Sequence, residues 1–160
     1  MADHTPLPRA LGIDFGERRI GVALSAGALA LPLVTIERKT DRAAVGRLSA
    51  LAQENDAAVL VVGEPKRLDG RAGDAAERAR RFGAKLAEKS GLPIVYVDEA
   101  LTSVEAERRL GEAGVDVRRD KERVDAVAAQ ILLQEALDRG LVATAGAAEA
   151  EERNAAEASR

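Results

Sequence analysis

The stretch LGIDFGERRIGVALS, residues 11–25, decides the fold of this chain. It contains two apolar runs separated by a short polar turn, and Asp14 lies inside the first run. Two β-rich runs with a turn-sized gap between them favour an antiparallel pair of strands. A carboxylate within such a strand costs free energy unless it is paired or bound to a metal ion. The stretch therefore predicts a β-hairpin with one carboxylate that needs a partner.

Asp14 has two interpretations at this stage. It can be a strand-end acid whose oxygens accept hydrogen bonds from the backbone of the turn at residues 16–19. It can also belong to a functional site, because Gly12 and Gly16 flank it and leave room for a ligand or metal ion to approach. The surrounding residues leave both interpretations open.

Outward from this hairpin, strands and helices alternate along the chain. The expected elements are a strand in LPLVTIE (31–37), a helix over 41–55, a strand over 57–62, a helix from about Asp74 to Gly91, a strand over 94–97, a helix from Thr102 to Gly111 or Gly114, and a helix over 121–138. Asp74 and Glu77 have the spacing of a capping box. The order βββαβαβαα predicts an α/β fold with a mixed five-stranded sheet, in which a three-strand antiparallel meander joins two parallel strands, flanked by helices.

Length and composition bound the class of protein. The 160 residues suffice for one domain, expected over 10–142, with a flexible leader at 1–9 and a disordered Ala/Glu-rich tail at 143–160. The absence of Cys and a single His, in the leader, argue against zinc ribbons, thiol chemistry and a His-dependent triad. An aromatic content of 2% argues against base stacking on an aromatic platform. Without a signal-peptide pattern or an apolar run of ~18 residues, a cytoplasmic protein is expected.

The adjacent acids Asp98 and Glu99 are candidates for the same site as Asp14. They follow the strand IVYV directly, at the carboxyl end where ligands bind in an open α/β sheet. Successive strand residues point to opposite faces, so only one of the two can share the face of Asp14, and the residues do not say which. The alternative is a solvated loop, with Asp98 assisting the cap of the helix that begins at Thr102.

Asp125, within KERVDAVAAQ, is the third candidate acid. It lies in the first turn of the last expected helix, where the helix dipole favours a carboxylate, so a helix-start acid is one interpretation. The small neighbours Ala126, Ala128 and Ala129 permit a close approach of this helix to the sheet. The second interpretation therefore places Asp125 near the edge of the sheet, beside the other acids.

Four motifs lie in a fixed order along the chain. They are IDFGERRIGVALS at 13–25, VVGEP at 61–65 followed by LDG at 68–70, VDEALTS at 97–103, and KERVDAVAAQILL at 121–133. Together they resemble the YqgF (RuvX) family of bacterial RNase H-like nucleases over about residues 10–140. The resemblance implies an RNase H-like fold and a cytoplasmic nuclease proposed to process the 5′ end of pre-16S rRNA in ribosome biogenesis. The family's older assignment is a Holliday junction resolvase.

The resemblance assigns catalytic and metal-binding roles to Asp14, Glu99 and Asp125. Hydrolysis of a phosphodiester needs an activated water and a stabilised leaving oxygen, and two Mg²⁺ or Mn²⁺ ions ~4 Å apart supply both. Carboxylates are the hard oxygen ligands that these ions prefer. In this hypothesis Asp14 bridges both ions, Glu99 holds one of them and Asp125 holds the other.

Basic residues are expected to bind the phosphate backbone of a nucleic acid. The net charge of −3 argues against such a partner, but residues 64–85 carry seven basic and four acidic side chains. For any one of these cations, the alternative is a solvated helix face with ion pairs at helical spacing. The candidates are Lys66, Arg67, Arg71, Arg78, Arg81, Arg118, Arg119, Lys121 and Arg123.

Two residues depart from the family's pattern. Glu64 stands in VVGEP where the family commonly has Leu, and Ala100 stands after the acidic pair where it commonly has Arg. A gained acid and a lost cation beside a binding groove are both expected to weaken the attraction of phosphate.

Three other functions compete with the rRNA nuclease. The pattern D-x-G before a hydrophobic strand also resembles the phosphate-binding hairpin of sugar kinases and actin-like ATPases, but those proteins need two related lobes and this chain is long enough for one. A Holliday junction resolvase and a non-catalytic RNA- or ribosome-binding factor with the same fold stay open. The expected partner is thus an RNA precursor or branched DNA and not a membrane, and a homodimer is left open.

Overall fold

The computed structural model describes residues 5–65, 73–99 and 102–160, and within them five strands and five helices. The strands are β1 (Ala10–Phe15), β2 (Arg19–Ala26), β3 (Leu29–Glu37), β4 (Val59–Glu64) and β5 (Ile94–Asp98). The helices are α1 (Asp41–Glu54), α2 (Asp74–Ser90), α3 (Thr102–Glu112), α4 (Lys121–Asp138) and α5 (Leu141–Ala158). None of these helices has the length and apolar character needed to span a bilayer.

The strands form one mixed sheet in the order β3-β2-β1-β4-β5. β2 pairs antiparallel with both β1 and β3, whereas β4 pairs in parallel with both β1 and β5. The predicted meander with two parallel strands is confirmed. Because β1, β4 and β5 run in the same direction, their carboxyl ends meet at one edge of the sheet, which is where ligands bind in such folds.

Apolar side chains cover both faces of the sheet. Leu60 of β4 points to one face, where it joins a core that includes Leu48 of α1 and Phe82 of α2. Its neighbour Val61 points to the other face and joins a core that includes Leu132 of α4. All of these side chains are at most 1% exposed, and burial of each contributes about 1.5–3 kcal/mol. The sheet is thus the central layer between α1 and α2 on one side and α4 on the other.

Two glycines allow α4 to lie unusually close to the sheet. A Cβ added at Gly12 of β1 would lie 2.7 Å from the Cβ of Leu133, and one added at Gly21 of β2 would overlap the backbone carbonyl of Asp125. Real Cβ atoms do not approach backbone atoms so closely, so a larger residue at Gly21 would push the helix away. The turn of α4 that contains Asp125 is therefore held against β2; Asp125 is the fifth residue of the helix, beyond the first turn where it was expected.

Side-chain amides of α4 cover the outer edge of β3. Gln134 Oε1 accepts a hydrogen bond from the N–H of Ala30 at 2.9 Å, and Gln130 Nε2 donates to the carbonyl of the same residue at 3.0 Å. An uncovered edge strand exposes backbone groups that can pair with another chain. These bonds protect part of the β3 edge and fix α4 along the strand.

The predicted capping box at the start of α2 is wrong. The N-cap is Gly73, and no side chain accepts a hydrogen bond from the first turn of the helix. Asp74 is instead the first helical residue, where its charge still lies near the positive end of the helix dipole. The predicted end of this helix is confirmed, because Gly91 adopts the left-handed conformation with φ of 72°.

Residues 143–160, expected to be disordered, lie almost entirely in α5. Val142 is completely buried at its start, and a Cβ added at Gly146 would lie 2.6 Å from the side chain of Pro8. The first half of α5 thus packs against the domain and against residues 5–8, which precede β1. Ala and Glu are strong helix formers, and this explains why the helix continues beyond these contacts. Residues 1–4 of the expected leader lie outside the described ranges.

Candidate functional site

Asp14 and Glu99 lie on the face of the sheet that α4 covers. Along β1, Asp14 shares the face of Gly12, which abuts Leu133 of α4. Along β5 and its continuation, Glu99 shares the face of Val97, which packs in the α4-side core, while Asp98 alternates to the other face. The backbone N–H of Glu99 donates to the carbonyl of Glu64 at 3.0 Å and so extends the ladder between β4 and β5. Strand alternation therefore selects Glu99, and not Asp98, as the companion of Asp14.

The carboxyl groups of Asp14 and Glu99 are hydrogen-bonded to each other. Asp14 is only 7% exposed, and this burial raises the pKa of its carboxyl group above the usual range. The hydrogen bond with Glu99 lowers the same pKa, and the nearby charge of Asp125 raises it further. Burial, the hydrogen bond with Asp14 and the charges of Asp14 and Asp125 raise the pKa of Glu99 to about 10. The pair therefore holds a proton at neutral pH, because two buried carboxylates in contact cannot both ionise.

Gly63 of β4 makes room for this pair. A Cβ added there would lie 3.0 Å from Oε2 of Glu99 and 3.1 Å from Cδ2 of Leu132. Both contacts are tighter than ordinary van der Waals separation, so either neighbour would have to move. A glycine at this position of the central strand lets the Glu99 carboxyl group lie flat against the sheet.

Asp125 lies beside the pair but is bonded to a cation. Nε of Arg19 donates to Oδ2 of Asp125 at 2.6 Å, and the two side chains are 35% and 22% exposed. The charge of Asp125 acts on both Asp14 and Glu99. Within residues 5–65, 73–99 and 102–160, the side chains as they stand do not bring three carboxylates into one group that could hold a metal ion. The structure thus joins two of the three predicted acids directly and places the third within electrostatic reach.

Arg38, which sequence analysis missed, fixes the turn that follows Asp14. Its Nη1 donates to the carbonyl oxygens of residues 16 and 17 at 3.3 and 3.4 Å, and its Nε and Nη2 both donate to Oδ1 of Asp41 at 3.0 Å. Its guanidinium also lies 4.2 Å from the centre of the Phe15 ring, a cation–π contact. Arg38 thereby ties the end of β1 to the start of α1.

The clefts around the acidic pair meet at Arg38. The central one, of about 270 Å³, is lined by Glu99, Arg38 and Arg78 among others. A cleft of about 220 Å³ on one side is lined by Arg38, Asp41, Arg78, Arg81 and Lys85. A cleft of about 560 Å³ on the other side has seven cationic lining residues, which are Arg18, Arg19, Arg38, Lys39, Arg118, Arg119 and Lys121, and three acidic ones, Glu37, Asp120 and Glu122. A larger cleft of about 810 Å³, between α1 and the end of α2, contains none of the predicted site residues.

The predicted nucleic-acid-binding cations have three different positions. Five of them line the clefts that meet at Arg38, and these are Arg78, Arg81, Arg118, Arg119 and Lys121. Nε of Arg123 instead lies 3.3 Å from Oδ2 of Asp120, which is the N-cap residue of the same helix, α4. Lys66, Arg67 and Arg71 lie outside the described residues.

The pairing register of the β2–β3 hairpin could have identified the cations that sequence analysis missed, which are Arg18, Arg19, Arg38 and Lys39. Arg19 pairs with Glu37 across this hairpin, and the N–H of Arg38 donates to the carbonyl of Arg18 at 2.8 Å. The antiparallel pairing therefore brings the ERR turn at 17–19 beside the ERK end of the third strand at 37–39. Two short basic segments that are distant in the sequence become one wall of the large basic cleft.

Glu64 does not present an unpaired charge to these clefts. Its Oε2 accepts a hydrogen bond from Nη2 of Arg80 at 2.7 Å, and the Arg80 guanidinium lies 4.6 Å from the centre of the Tyr96 ring. Glu64 is 8% exposed and packs on the α2 side of the sheet, away from Asp14. Arg80 compensates the charge of Glu64 locally, and the effect of Glu64 on phosphate attraction stays a prediction. Ala100, the second departure, lies outside the described residues.

The strand order β3-β2-β1-β4-β5, with acids at the carboxyl ends of β1 and β5, defines an RNase H-like protein. A solved structure of T. thermophilus RuvC in complex with a Holliday junction substrate has this fold, with a TM-score of 0.56 and 18% identity over 84% of this chain and 96% of that chain. The sequence model of the RuvX family, described as Holliday junction resolvase, matches residues 8–139. The chain belongs to the RuvX family.

Two curated relatives carry the same name. A protein of Picosynechococcus sp., named "Putative pre-16S rRNA nuclease", is 47% identical over 131 residues, which are 81% of this chain and 91% of that protein. A protein of Syntrophus aciditrophicus with the same name is 42% identical over 132 residues, which are 81% of this chain and 88% of that protein. The family resemblance drawn from the four motifs is confirmed.

Proposed function

We propose that this protein is a nuclease that hydrolyses phosphodiester bonds with the help of Mg²⁺ or Mn²⁺, and that its substrate is the 5′ end of pre-16S rRNA. The observation that carries the proposal is the buried Asp14–Glu99 pair, with Asp125 beside it, at the junction of basic clefts. Relatives at 42% and 47% identity that are named for this activity support the choice of substrate. A nuclease of rRNA precursors acts in the cytoplasm, where bacteria make them.

The donor set of the site fits a hard divalent cation. All three candidate ligands, Asp14, Glu99 and Asp125, offer carboxylate oxygens, which Mg²⁺ and Mn²⁺ prefer. Burial and the neighbouring carboxyl groups raise the pKa of Glu99, because negative charge is crowded at this site. When bound there, two such ions supply an activated water and neutralise the charge that develops on the leaving oxygen.

The protein's own residues hold this site in place and bring the substrate to it. Arg38 fixes the backbone that follows Asp14, and Gly63 leaves the space that the Glu99 carboxyl group fills. Arg78 lines the same cleft as Glu99, so it is placed to bind a phosphate next to the bond that is cut. Because the clefts offer guanidinium and ammonium groups and few rings, the protein binds backbone phosphates with little preference for base sequence.

A second candidate function is the cleavage of a Holliday junction. The description of the matching family model favours it. The basic clefts that share Arg38 suit either substrate, because a single RNA strand and the arms of a branched DNA offer the same phosphates.

Cleavage assays with both substrates test the proposal. The full chain is incubated with end-labelled RNA that contains the 5′ end of pre-16S rRNA, or with a labelled four-way DNA junction, in Mg²⁺, in Mn²⁺ or in a chelator. We expect cleavage of the RNA with either ion and none with the chelator or in Asp14→Asn. Glu151→Gln, an exposed change on α5, serves as the matched control and keeps full activity. Binding of RNA without cleavage under any of these conditions would support the non-catalytic factor instead.

A further inference from the structure

Arg19 joins the carboxylate site to the large basic cleft. Its Nε donates to Asp125 at 2.6 Å, and the same side chain lines the cleft of about 560 Å³ together with Arg118 and Arg119. The guanidinium carries five N–H donors in a fixed fork and is permanently charged, so it binds a carboxylate or a phosphate equally well. Two kinds of anion, the acid of the site and the backbone of a substrate, therefore compete for one side chain.

We propose that Arg19 is a positioning residue that couples the binding of a divalent cation to the binding of a nucleic-acid strand. The proposal rests on the proposed function, because it takes Asp125 as a ligand of the cation. While Arg19 donates to Oδ2 of Asp125, this hydrogen bond and the guanidinium charge compete with a cation for that oxygen. A strand in the basic cleft offers Arg19 a phosphate in exchange. Each ligand thus removes the competitor of the other, and by linkage the effect is reciprocal.

The packing determines which side chain of the pair moves. The carbonyl of Asp125 lies against Gly21, so the backbone of this turn of α4 cannot shift toward or away from the sheet without disturbing that contact. Asp125 is short and 22% exposed, whereas Arg19 is long and 35% exposed, on the side that faces the cleft. Long cationic side chains change rotamer readily when their charged end is near solvent. The exchange therefore consists of a swing of Arg19 from Asp125 into the cleft, after which the freed Asp125 carboxylate can turn while its backbone stays in place.

Arg18 supplies a matched control. It precedes Arg19, carries the same charge and lines the same cleft, but the hydrogen bond to Asp125 comes from Arg19. Replacement of either residue by Gln removes one positive charge from the surroundings of the acids. Arg18→Gln removes the same charge from the cleft but leaves the bond to Asp125, so a difference between the two variants reports the loss of that bond and of the charge that it brings to Asp125.

Titration calorimetry with Mn²⁺ on the full chain, without nucleic acid, is the first test. Arg19→Gln is expected to bind Mn²⁺ at least about fivefold more tightly than the wild type, because Asp125 is released. The Mn²⁺ affinity of Arg18→Gln is expected to stay within about twofold of the wild type. Arg19→Lys keeps a charge without the planar fork, so its Mn²⁺ affinity is expected to lie between those of the wild type and Arg19→Gln. Equal or weaker Mn²⁺ affinity in Arg19→Gln would overturn the proposal. Thermal unfolding of each variant verifies that it is folded.

To measure the coupling between the two ligands, the Mn²⁺ titration is repeated on protein that is saturated with a single-stranded phosphorothioate oligonucleotide of twelve nucleotides. The strand is expected to raise the Mn²⁺ affinity of the wild type at least about fivefold and that of Arg19→Gln less than about twofold. Equal coupling in the two proteins would contradict a role for Arg19. The variant Asp14→Asn distinguishes a failure of this proposal from a failure of the proposed function. Unchanged Mn²⁺ binding in Asp14→Asn would show that the cation binds elsewhere and would contradict the proposed metal site itself.

Discussion

The carboxyl groups of Asp14 and Glu99 are hydrogen-bonded to each other although a whole strand, β4, lies between the strands that carry them. The parallel register of β1, β4 and β5 brings both side chains to the same edge of the sheet, and alternation along each strand puts them on the same face. Gly63, which lies between them, has no side chain to separate them. The contact is thus a product of topology and of one glycine.

Stability should fall as pH rises because of this pair. Both carboxyls have pKa values raised by burial, so the folded state keeps a proton that the unfolded chain releases above its ordinary pKa near 4. The contribution of the pair is therefore greatest at acidic pH and is lost as pH rises toward the folded-state pKa, by up to about 1.4 kcal/mol per pH unit for the one proton that the pair holds. Glu99→Gln, which cannot ionise, should gain stability relative to the wild type between about pH 5 and 8.

Urea unfolding of the wild type and of Glu99→Gln at several pH values checks the predicted pH dependence of stability. The difference in unfolding free energy between them should grow steadily with pH in favour of the variant. Glu105→Gln is the opposite control, since Arg108 and Arg109 hold the pKa of that exposed carboxylate low. A constant difference between wild type and Glu99→Gln across this range would show that the pair does not hold a proton.

Much of the fold followed from the sequence, because strand patterns and glycine stops are local signals. The βββαβαβ order, the parallel central strands and the bounds of α4 at Lys121 and Asp138 were all predicted correctly. The strand ends predicted Asp14 together with one member of the Asp98–Glu99 pair, and the family resemblance named Glu99. Alternation along β5 then decided between Glu99 and Asp98 once the face of each neighbour was known.

The remaining features depend on partners far along the chain. The compensation of Glu64 comes from Arg80, on a helix that begins ten residues later, and no local pattern links the two. The bond between Arg19 and Asp125 joins residues 106 positions apart. Arg38 acts through backbone carbonyls, which carry no sequence signal. Composition alone does not decide the state of 143–160, where α5 lies, since an Ala/Glu-rich segment suits a helix as well as a disordered tail.

Gly63→Ala should impair cleavage more than folding. The added methyl would press on the Glu99 carboxyl group and on Leu132, and the carboxyl group is the one that can turn away. We expect a loss of about 1–3 kcal/mol in unfolding free energy and a cleavage rate reduced at least about tenfold, since catalytic groups tolerate little displacement. Gly46→Ala, in α1, is the matched control, because no atom lies within 4 Å of the added Cβ. Full activity in Gly63→Ala would argue against a role for the position of Glu99.

Arg38→Ala should destabilise the turn after Asp14. The change removes hydrogen bonds to two carbonyls and to Asp41, and the cation–π contact with Phe15. We expect a loss of about 1–3 kcal/mol in urea unfolding, and only partial recovery in Arg38→Lys, which lacks the planar fork. Arg42→Ala, an exposed change on the same helix as Asp41, should stay within about 0.5 kcal/mol of the wild type. Equal stability of Arg38→Ala and Arg42→Ala would show that the clamp contributes nothing.

RNA binding should weaken steeply with salt, and the large basic cleft should account for part of the slope. Each cation that contacts a phosphate adds about 0.7–0.9 to the slope of log K against log salt. Fluorescence anisotropy with labelled RNA should therefore give a slope smaller by about one in Arg119→Gln. Arg108→Gln is the control, because Arg108 is bonded to Glu105 and Glu112 on α3. An equal slope in Arg119→Gln and the wild type would place the RNA outside this cleft.

The single-turnover rate of cleavage of pre-16S rRNA in Mn²⁺, compared between the wild type and Asp14→Asn, tests the central claim most directly. The Asn side chain keeps the size of Asp but cannot balance a cation's charge, and several kcal/mol of transition-state stabilisation should be lost. We predict a rate lower by about a thousandfold in Asp14→Asn, with RNA affinity in the absence of Mn²⁺ unchanged. Cleavage by Asp14→Asn at the wild-type rate would contradict the assignment of this site.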